Sequence, residues 1–303
     1  MNDFRQVVRS CLRQVWRLHQ PRQPRVCILN YHSVHPDRTF RTCTPEVFET
    51  HLAWLNFHCR VVPFEDVLSR NANEAGGARP TVTITFDDGY KDNYEYAFPA
   101  LRKYDMSATL FLTAGFVQRD PAVMERFRLL RRIDMTELEP LTWDQVQEMS
   151  RYGVDVQAHT YSHPNLVHLD RAERAWEIVD ARAMLEDKIG KQVSGFAYPF
   201  GKPGCHFNRA VEEEVRKAGY RYAVSVTERG MHPGDNNWRL PRIIAPAGSL
   251  AQFSERIAGA WDFLGYYQEA LPVWMGRLLH PEAFRKSRYG GSYREIHSRV
   301  TQP

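Results

Sequence analysis

Long apolar runs are missing from this chain. No stretch reaches the roughly 18 apolar residues that a membrane-spanning helix needs. The cysteines also lack the pattern of a pair: five are present, Cys11, Cys27, Cys43, Cys59 and Cys205, odd in number and without C-x-x-C spacing. That spacing argues against a zinc ribbon or a dithiol redox motif and favours free thiols in a reducing compartment. An excess of one charge sign is absent too. Forty Lys and Arg stand against 36 Asp and Glu, a net charge of +4, too mild and dispersed to point to a nucleic-acid partner. Met1 to Arg25 repeats Arg without the continuous apolar core of a signal peptide, so the expected location is cytoplasmic, reaching at most the inner face of a membrane. There is no internal repeat, and the one low-complexity stretch, Asn71–Arg79, reads as a surface loop.

What is present suffices for a large core. The 303 residues are 43% hydrophobic and 12% aromatic, enough for one large α/β domain or two smaller ones. Strand-like runs recur at Val26–Tyr31, Arg60–Pro63, Val82–Phe86, Ala108–Thr113, Val154–Ala158, Gly195–Tyr198, Tyr222–Val226 and Leu240–Ile244. Helical signals lie between them. Thr44 caps a helix that opens on Pro45 and buries Phe48, Leu52 and Leu55, and Thr142 to Gln145 has capping-box spacing, with Gly153 as the stop. Ala172, Trp176, Val179 and Ala183 repeat at helical spacing, as do Val211, Val215 and Ala218 before Gly219. Strict alternation of strand and helix predicts parallel strands, and seven or eight such units close a distorted (β/α) barrel. Three regions follow: a basic helical segment over 1–24, a catalytic domain over 25–250, and a helical extension with a loose tail over 251–303.

Catalytic groups of such a barrel lie where strands run out into loops. The run Thr81-Val-Thr-Ile-Thr-Phe ends on Asp87, Asp88 and Gly89, and adjacent carboxylates at the end of a buried strand are costly unless their charge is used. His159 and His163 follow the Val154–Ala158 strand, His32 follows the first strand, and Tyr198-Pro-Phe200-Gly201 follows the sixth. A carboxylate and two imidazoles on one side of a divalent cation leave positions open for water and substrate. The second carboxylate can then act as general base. Spacing alone does not say which aspartate takes which role, and the same donor set would suit a non-haem iron oxygenase.

Thr85-Phe-Asp-Asp-Gly-Tyr90, His159-Thr-Tyr-Ser-His163-Pro and Phe196-Ala-Tyr-Pro-Phe-Gly201, in that order, resemble the polysaccharide deacetylases, also called the NodB-homology or carbohydrate esterase four family. The resemblance spans about residues 25–245. It implies a metal-dependent hydrolase that removes acetyl groups from sugars, with Asp87 as base and Asp88, His159 and His163 as ligands. The implied cofactor is one divalent ion, zinc in first place, with cobalt, nickel or another divalent ion as alternatives. The backbone at Phe200 would hold the oxyanion, with Tyr198 beside it at the substrate, although packing is the plainer role for Tyr198.

Two departures from the family pattern carry expectations. Its third motif begins with Arg, where this chain has Ala197, and the Arg's task of orienting the base is expected to pass to Arg242 in Arg239-Leu-Pro-Arg-Ile243. The altered motif also leaves open a catalytically inactive glycan-binding module on the same fold. The family's downstream Leu-x-His is matched only by Leu278-Leu279-His280, ahead of Pro281, which reads as chance. His32 resembles instead the first-strand histidine of permuted exopolysaccharide glucosamine deacetylases, and is expected to protonate the leaving amine. The substrate implied is an acetylated amino sugar, in a polymer or a lipid-linked precursor. Arg119, Arg126, Arg128, Arg131 and Arg132 in the long Val117–Pro140 connection would suit a phosphate on such a precursor. Segments 1–24 and 253–279 are the candidates for peripheral membrane contact.

Overall fold

A computed structural model describes residues 25–37, 40, 42–69, 79–134, 139–270, 293 and 297. The basic segment 1–24, residues 71–78 of the surface loop and residues 271–279 of the membrane candidate lie outside the described residues, as does Leu278-Leu279-His280. Eight strands overlap the eight expected ones: β1 (Val26–Tyr31), β2 (Arg60–Val61), β3 (Thr81–Asp88), β4 (Thr109–Leu112), β5 (Asp155–Ala158), β6 (Gly195–Ala197), β7 (Tyr222–Val224) and β8 (Ile243–Ile244). The sheet order is β7-β6-β5-β4-β3-β1-β8, with β2 added at the start of β3 and every pairing parallel. Its two ends approach each other. Leu240, just ahead of β8, bridges Val224 of β7, with Leu240 N donating to Ala223 O at 2.9 Å and Ser225 N to Leu240 O at 2.8 Å. The sheet thereby curls into a distorted (β/α) barrel.

Strand periodicity divides the core in two. Cys27, Leu29 and Tyr31 of β1, with Val82, Ile84 and Phe86 of β3, join the large cluster under the surrounding helices. The opposite faces look inward: Val26, Ile28, Phe111, Ala197, Tyr222 and Val224 form a second, smaller cluster. Phe64, from the short helix α2 (Phe64–Leu68), stacks on Tyr222 with ring centres 4.5 Å apart and meets Phe111 edge-on. Further along the same inward faces the residues turn polar, with Asn30, Thr85 and Asp87 all buried. A charged group placed there needs a partner inside the barrel.

The helix signals are local and hold well. Helix α1 (Pro45–His58) starts on Thr44, whose hydroxyl accepts from Val47 N, and buries Phe48, Leu52 and Leu55. Helices α3 (Phe98–Lys103), α4 (Ala114–Val117) and α5 (Pro121–Arg131) follow β3 and β4, and α6 (Trp143–Arg151) carries the full capping box of Thr142 and Gln145. One periodic expectation is corrected. Val179 does not face the core but is 47% exposed. Ala172 and Ala183 are exposed as well; a π-helical turn at Trp176–Asp180 separates α7 (Arg171–Ala175) from α8 (Ala181–Ile189), and the buried side of this stretch carries Glu177, Ile178, Ala181 and Leu185 instead. Helix α9 (Arg209–Lys217) precedes β7, and α10 (Leu250–Ile257) and α11 (Phe263–Ala270) form the described part of the C-terminal extension. Phe253 of α10 stacks on His51 of α1 at 3.9 Å, so part of the aromatic content of 253–279 covers the barrel. Among the described residues no helix is long and apolar enough to cross a membrane.

Candidate metal centre and active site

Asp87 and Asp88 close β3, where the backbone leaves extended geometry: Asp88 has φ +76° and Gly89 φ +98°. A side chain at Gly89 would meet Leu112 at 2.8 Å, so both the turn and the space select glycine. Thr160, His163 and Phe200 also lie in the left-handed region, with φ of 64°, 59° and 60°. Among the described residues, four of the seven non-glycine residues with positive φ thus sit at one end of the barrel, where strain of this kind marks a functional site.

Asp87 is held on both oxygens. Arg242 donates to both of its oxygens, Nη1 to Oδ1 at 2.6 Å and Nη2 to Oδ2 at 2.7 Å, and Asn30 Nδ2 donates to Oδ2 at 3.1 Å. Arg242 is itself completely buried, bonded also to Ser225 O at 3.1 Å and Thr85 Oγ1 at 3.3 Å. Burial alone would raise the Asp87 pKa, but the Arg242 guanidinium outweighs it and holds the carboxyl below its usual range. Oδ1 accepts from Arg242 alone among the described residues, which leaves it a lone pair for a proton. Arg242 and Asp87 thus form a buried bidentate ion pair.

Asp88, His159 and His163 form the one His/Cys/Asp/Glu cluster among the described residues with its donor atoms close enough for a shared cation, all within 4.8 Å of one another. His159 Nε2 and His163 Nε2 lie 3.7 and 3.5 Å from Asp88 Oδ1. Those separations are too long for good hydrogen bonds. They approach the roughly 3.3 Å expected between two ligands about 2.0–2.1 Å from a tetrahedral ion. His159 Nδ1 lies 2.8 Å from Ala197 O, so it carries the proton and Nε2 presents its lone pair to the cluster. Asp88 Oδ1 is buried without a hydrogen-bond partner among the described residues, an orphan acceptor that a cation would satisfy. The donor set of two imidazoles and one carboxylate fits a divalent ion of the zinc type. Burial raises the Asp88 pKa, and Arg131 with the three nearby histidines more than reverses this, so its carboxyl sits well below the usual range. Burial drives His163 well below the ordinary histidine value, keeping it neutral.

The His159–His163 loop is gripped from behind. Ala114 N and Gly115 N of α4 donate to Thr160 O at 3.1 Å and Tyr161 O at 2.8 Å. Buried Glu177 accepts from Tyr161 N at 3.0 Å and Ser162 N at 2.8 Å, and Arg126 donates to Ser162 O at 2.8 Å. His32, just past β1, is partly exposed. Burial lowers its pKa while Asp88 and Asp87 oppose the shift, so the ring lies within the field of both carboxylates. Its backbone is fixed by Thr42 Oγ1, which accepts from His32 N at 2.9 Å, and by Asn93 Nδ2, which donates to His32 O at 2.7 Å.

Phe200 places its ring edge-on to His163 at 4.7 Å, at the rim of the cluster. Tyr198 goes elsewhere, and its expected place at the substrate is corrected. Its ring is buried, stacked on Phe207 at 3.7 Å, and its hydroxyl donates to Trp238 O at 2.9 Å. Ala197 looks inward, so Tyr198, the next residue, is turned to the opposite side beside Phe196. The arginines of the long connection are also occupied: Arg119 by Pro140 O and Leu141 O, Arg126 by Ser162, Arg128 by Glu125, and Arg131 by Asp88 and Tyr90. Sequence reasoning missed Asn30, Arg131 and Glu177. Asn30 and Glu177 left a faint signal, each a polar residue on an otherwise buried face, whereas nothing local distinguished Arg131 from its four neighbours.

Residues 75–223 match a family profile described as polysaccharide deacetylase. The chain is 29% identical to the Bacillus subtilis (strain 168) protein YxkH over 234 residues, 76% of this chain and 75% of that one. It is 27% identical over 226 residues to the poly-β-1,6-N-acetyl-D-glucosamine N-deacetylase of Staphylococcus aureus (strain MSSA476), 73% of this chain and 72% of that enzyme. Among solved structures, IcaB from Ammonifex degensii superposes with a TM-score of 0.63 at 23% identity, covering 78% of this chain and 97% of its own. The Streptococcus pyogenes deacetylase PplD in complex with acetate gives 0.62 at 24%, covering 76% and 98%. At these identities the structural likeness speaks for the fold.

Proposed function

We propose that this chain, whose residues 75–223 match a polysaccharide deacetylase profile, is a metal-dependent hydrolase that removes N-acetyl groups from an acetylated amino-sugar polymer. One observation carries the reading: a buried carboxylate with an orphan oxygen, Asp88, faces two histidines, and a second carboxylate, Asp87, is locked beside it by Arg242. A divalent cation held by Asp88, His159 and His163, zinc in the first instance, supplies Lewis-acid polarisation of water and of the acetyl carbonyl when bound. Asp87 accepts the proton of the attacking water through the free lone pair of Oδ1. Arg242 and Asn30 keep that oxygen aimed and its carboxylate ionised. The backbone at Phe200 is a donor for the oxyanion. His32, partly exposed and backbone-clamped, returns a proton to the departing amine nitrogen.

The bond pattern of the connection over 117–140 favours polymer over a phosphate-bearing precursor, because four of its five arginines are held by partners within the chain. The presence of Arg242 on Asp87 weakens the case for an inactive binding module, which rested on the missing arginine. An oxygenase reading leaves Asp87 and Arg242 without a role.

The test is acetate release from poly-β-1,6-N-acetyl-D-glucosamine. Zinc-loaded protein should liberate acetate, chelator-treated protein should not, and added zinc should restore it. His32→Ala should retain the metal and lose most turnover. Binding of the polymer with no acetate released under any metal would replace this reading with the binding module.

A further inference from the structure

Asp88 divides its two oxygens between two different cation sites. Oδ1 faces the histidine pair without a hydrogen bond, while Oδ2 receives Nη2 of Arg131. Arg131 is the last residue of α5, and its Nε also donates to the buried hydroxyl of Tyr90 at 2.7 Å. Its guanidinium lies 5.6 Å from the ring centres of both Tyr90 and Phe40, so it is stacked and bonded into place rather than draped on the surface. Arg242 pairs with Asp87, and Arg131 is the guanidinium paired with the remaining carboxylate, Asp88.

We infer that Arg131 is a resident counter-charge for the metal-ligating carboxylate: it stabilises the empty cluster and weakens the cluster's hold on the cation. The inference rests on the assignment of Asp88 as a ligand. In its absence the metal-free chain would bury an uncompensated carboxylate, which strongly destabilises a fold. With a divalent ion on Oδ1, the same guanidinium sits across one carboxyl group from it, and two cations that close repel at low effective dielectric. Arg131 also draws electron density from the carboxylate it shares. It is a positioning and charge-setting residue, distinct from outer-shell carboxylates on histidine, which tighten metal binding.

Two readouts test this on the full chain. In zinc titrations against a competing chelator, Arg131→Gln should bind zinc about tenfold tighter or more, and Arg131→Lys, which keeps the charge, should stay near the wild type. Equal or weaker zinc binding by Arg131→Gln would overturn the inference and leave Arg131 as an ordinary orienting partner. In thermal melts without metal, Arg131→Gln should melt lower, and Arg131→Gln combined with Asp88→Asn should recover most of the loss, since the neutral amide needs no counter-charge. A double variant no more stable than the single would show that packing, not charge, is what Arg131 supplies. This melting comparison also decides the matter if Arg131→Gln alone fails to fold. Should the wild type bind no zinc or other divalent ion, the affinity claim falls together with the metal reading of the site, while the melts still report separately on the counter-charge.

Discussion

Asp87 and Asp88 are neighbours in sequence, equally buried, and held in opposite ways. Asp87 ends the extended part of β3, looks into the barrel, and meets three donors from β1 and the segment before β8. Asp88 lies past the turn in left-handed geometry, with one oxygen spoken for and the other aimed at two histidines that do not bond to it. One half of the site is held by partners within the chain, and the other, on the proposed reading, is completed by a cation. On the proposed reading, the comparison teaches that a general base gains from a fixed environment that spares one lone pair for a proton, whereas a ligand set must keep lone pairs unspent until an ion arrives.

The contrast can be broken in order of effect. Replacing His163 by Ala should act on the unfinished half alone. It should lower metal affinity by more than the roughly 10–100-fold that loss of an outer-shell partner brings, and elemental mass spectrometry should find the ion gone and acetate release with it. Asp87→Asn acts on the finished half. Metal content should stay at the wild-type level while kcat falls by about 10²–10⁴-fold; a parallel loss of metal would mean the halves are not separable.

Arg242→Met leaves Asp87 buried without its main partner, and urea denaturation should report a loss of about 3–5 kcal/mol. A control lies away from both halves. Burial lowers the pKa of His51 from 6.5 to about 4, so the unfolded chain takes up a proton that the folded chain refuses between those values. Stability from this group is complete above about pH 6.5, falls by about 3 kcal/mol as pH drops to about 4, and is flat below. His51→Phe should remove that part of the slope and leave zinc binding unchanged. Asn30→Ala removes only one of three donors to Asp87, and its effect should be the smallest, about 2 kcal/mol in stability or the equivalent in kcat.

The legible part of this molecule is the local part. Thr44 before Pro45 and the Thr142–Gln145 box are read from four residues, and they fold as read. The β-branched and apolar runs located the eight described strands; most are buried on both faces and so apolar whichever face looks inward, while β2 and β8 are two-residue strands that are partly exposed. Asp87 and the three residues of the cluster were singled out through motif order, not through periodicity. What escaped depends on distance through space. Arg131 is 43 residues from Asp88, in a run of arginines whose partners no pattern reveals. Val179 misled because the apolar spacing of Ala172, Trp176, Val179 and Ala183 follows a side that is exposed or only half-buried, while the charged Glu177 is buried as a loop anchor. Tyr198 sat in the right motif and still turned away, since alternate positions of a strand point to opposite faces.

The junction of Leu240 with Val224, followed at once by Arg242, has a kinetic consequence. Loop-closure entropy makes contacts between distant parts of a chain late events in folding. β1 pairs with β8 across nearly the whole described chain, Leu29 with Ile243, so the last strand to dock is the one that delivers the guanidinium to Asp87. Molecules stalled before that step have every motif residue and no working base. Regain of acetate release during refolding should therefore trail the regain of helical signal, and the delay between them times the closing of the barrel.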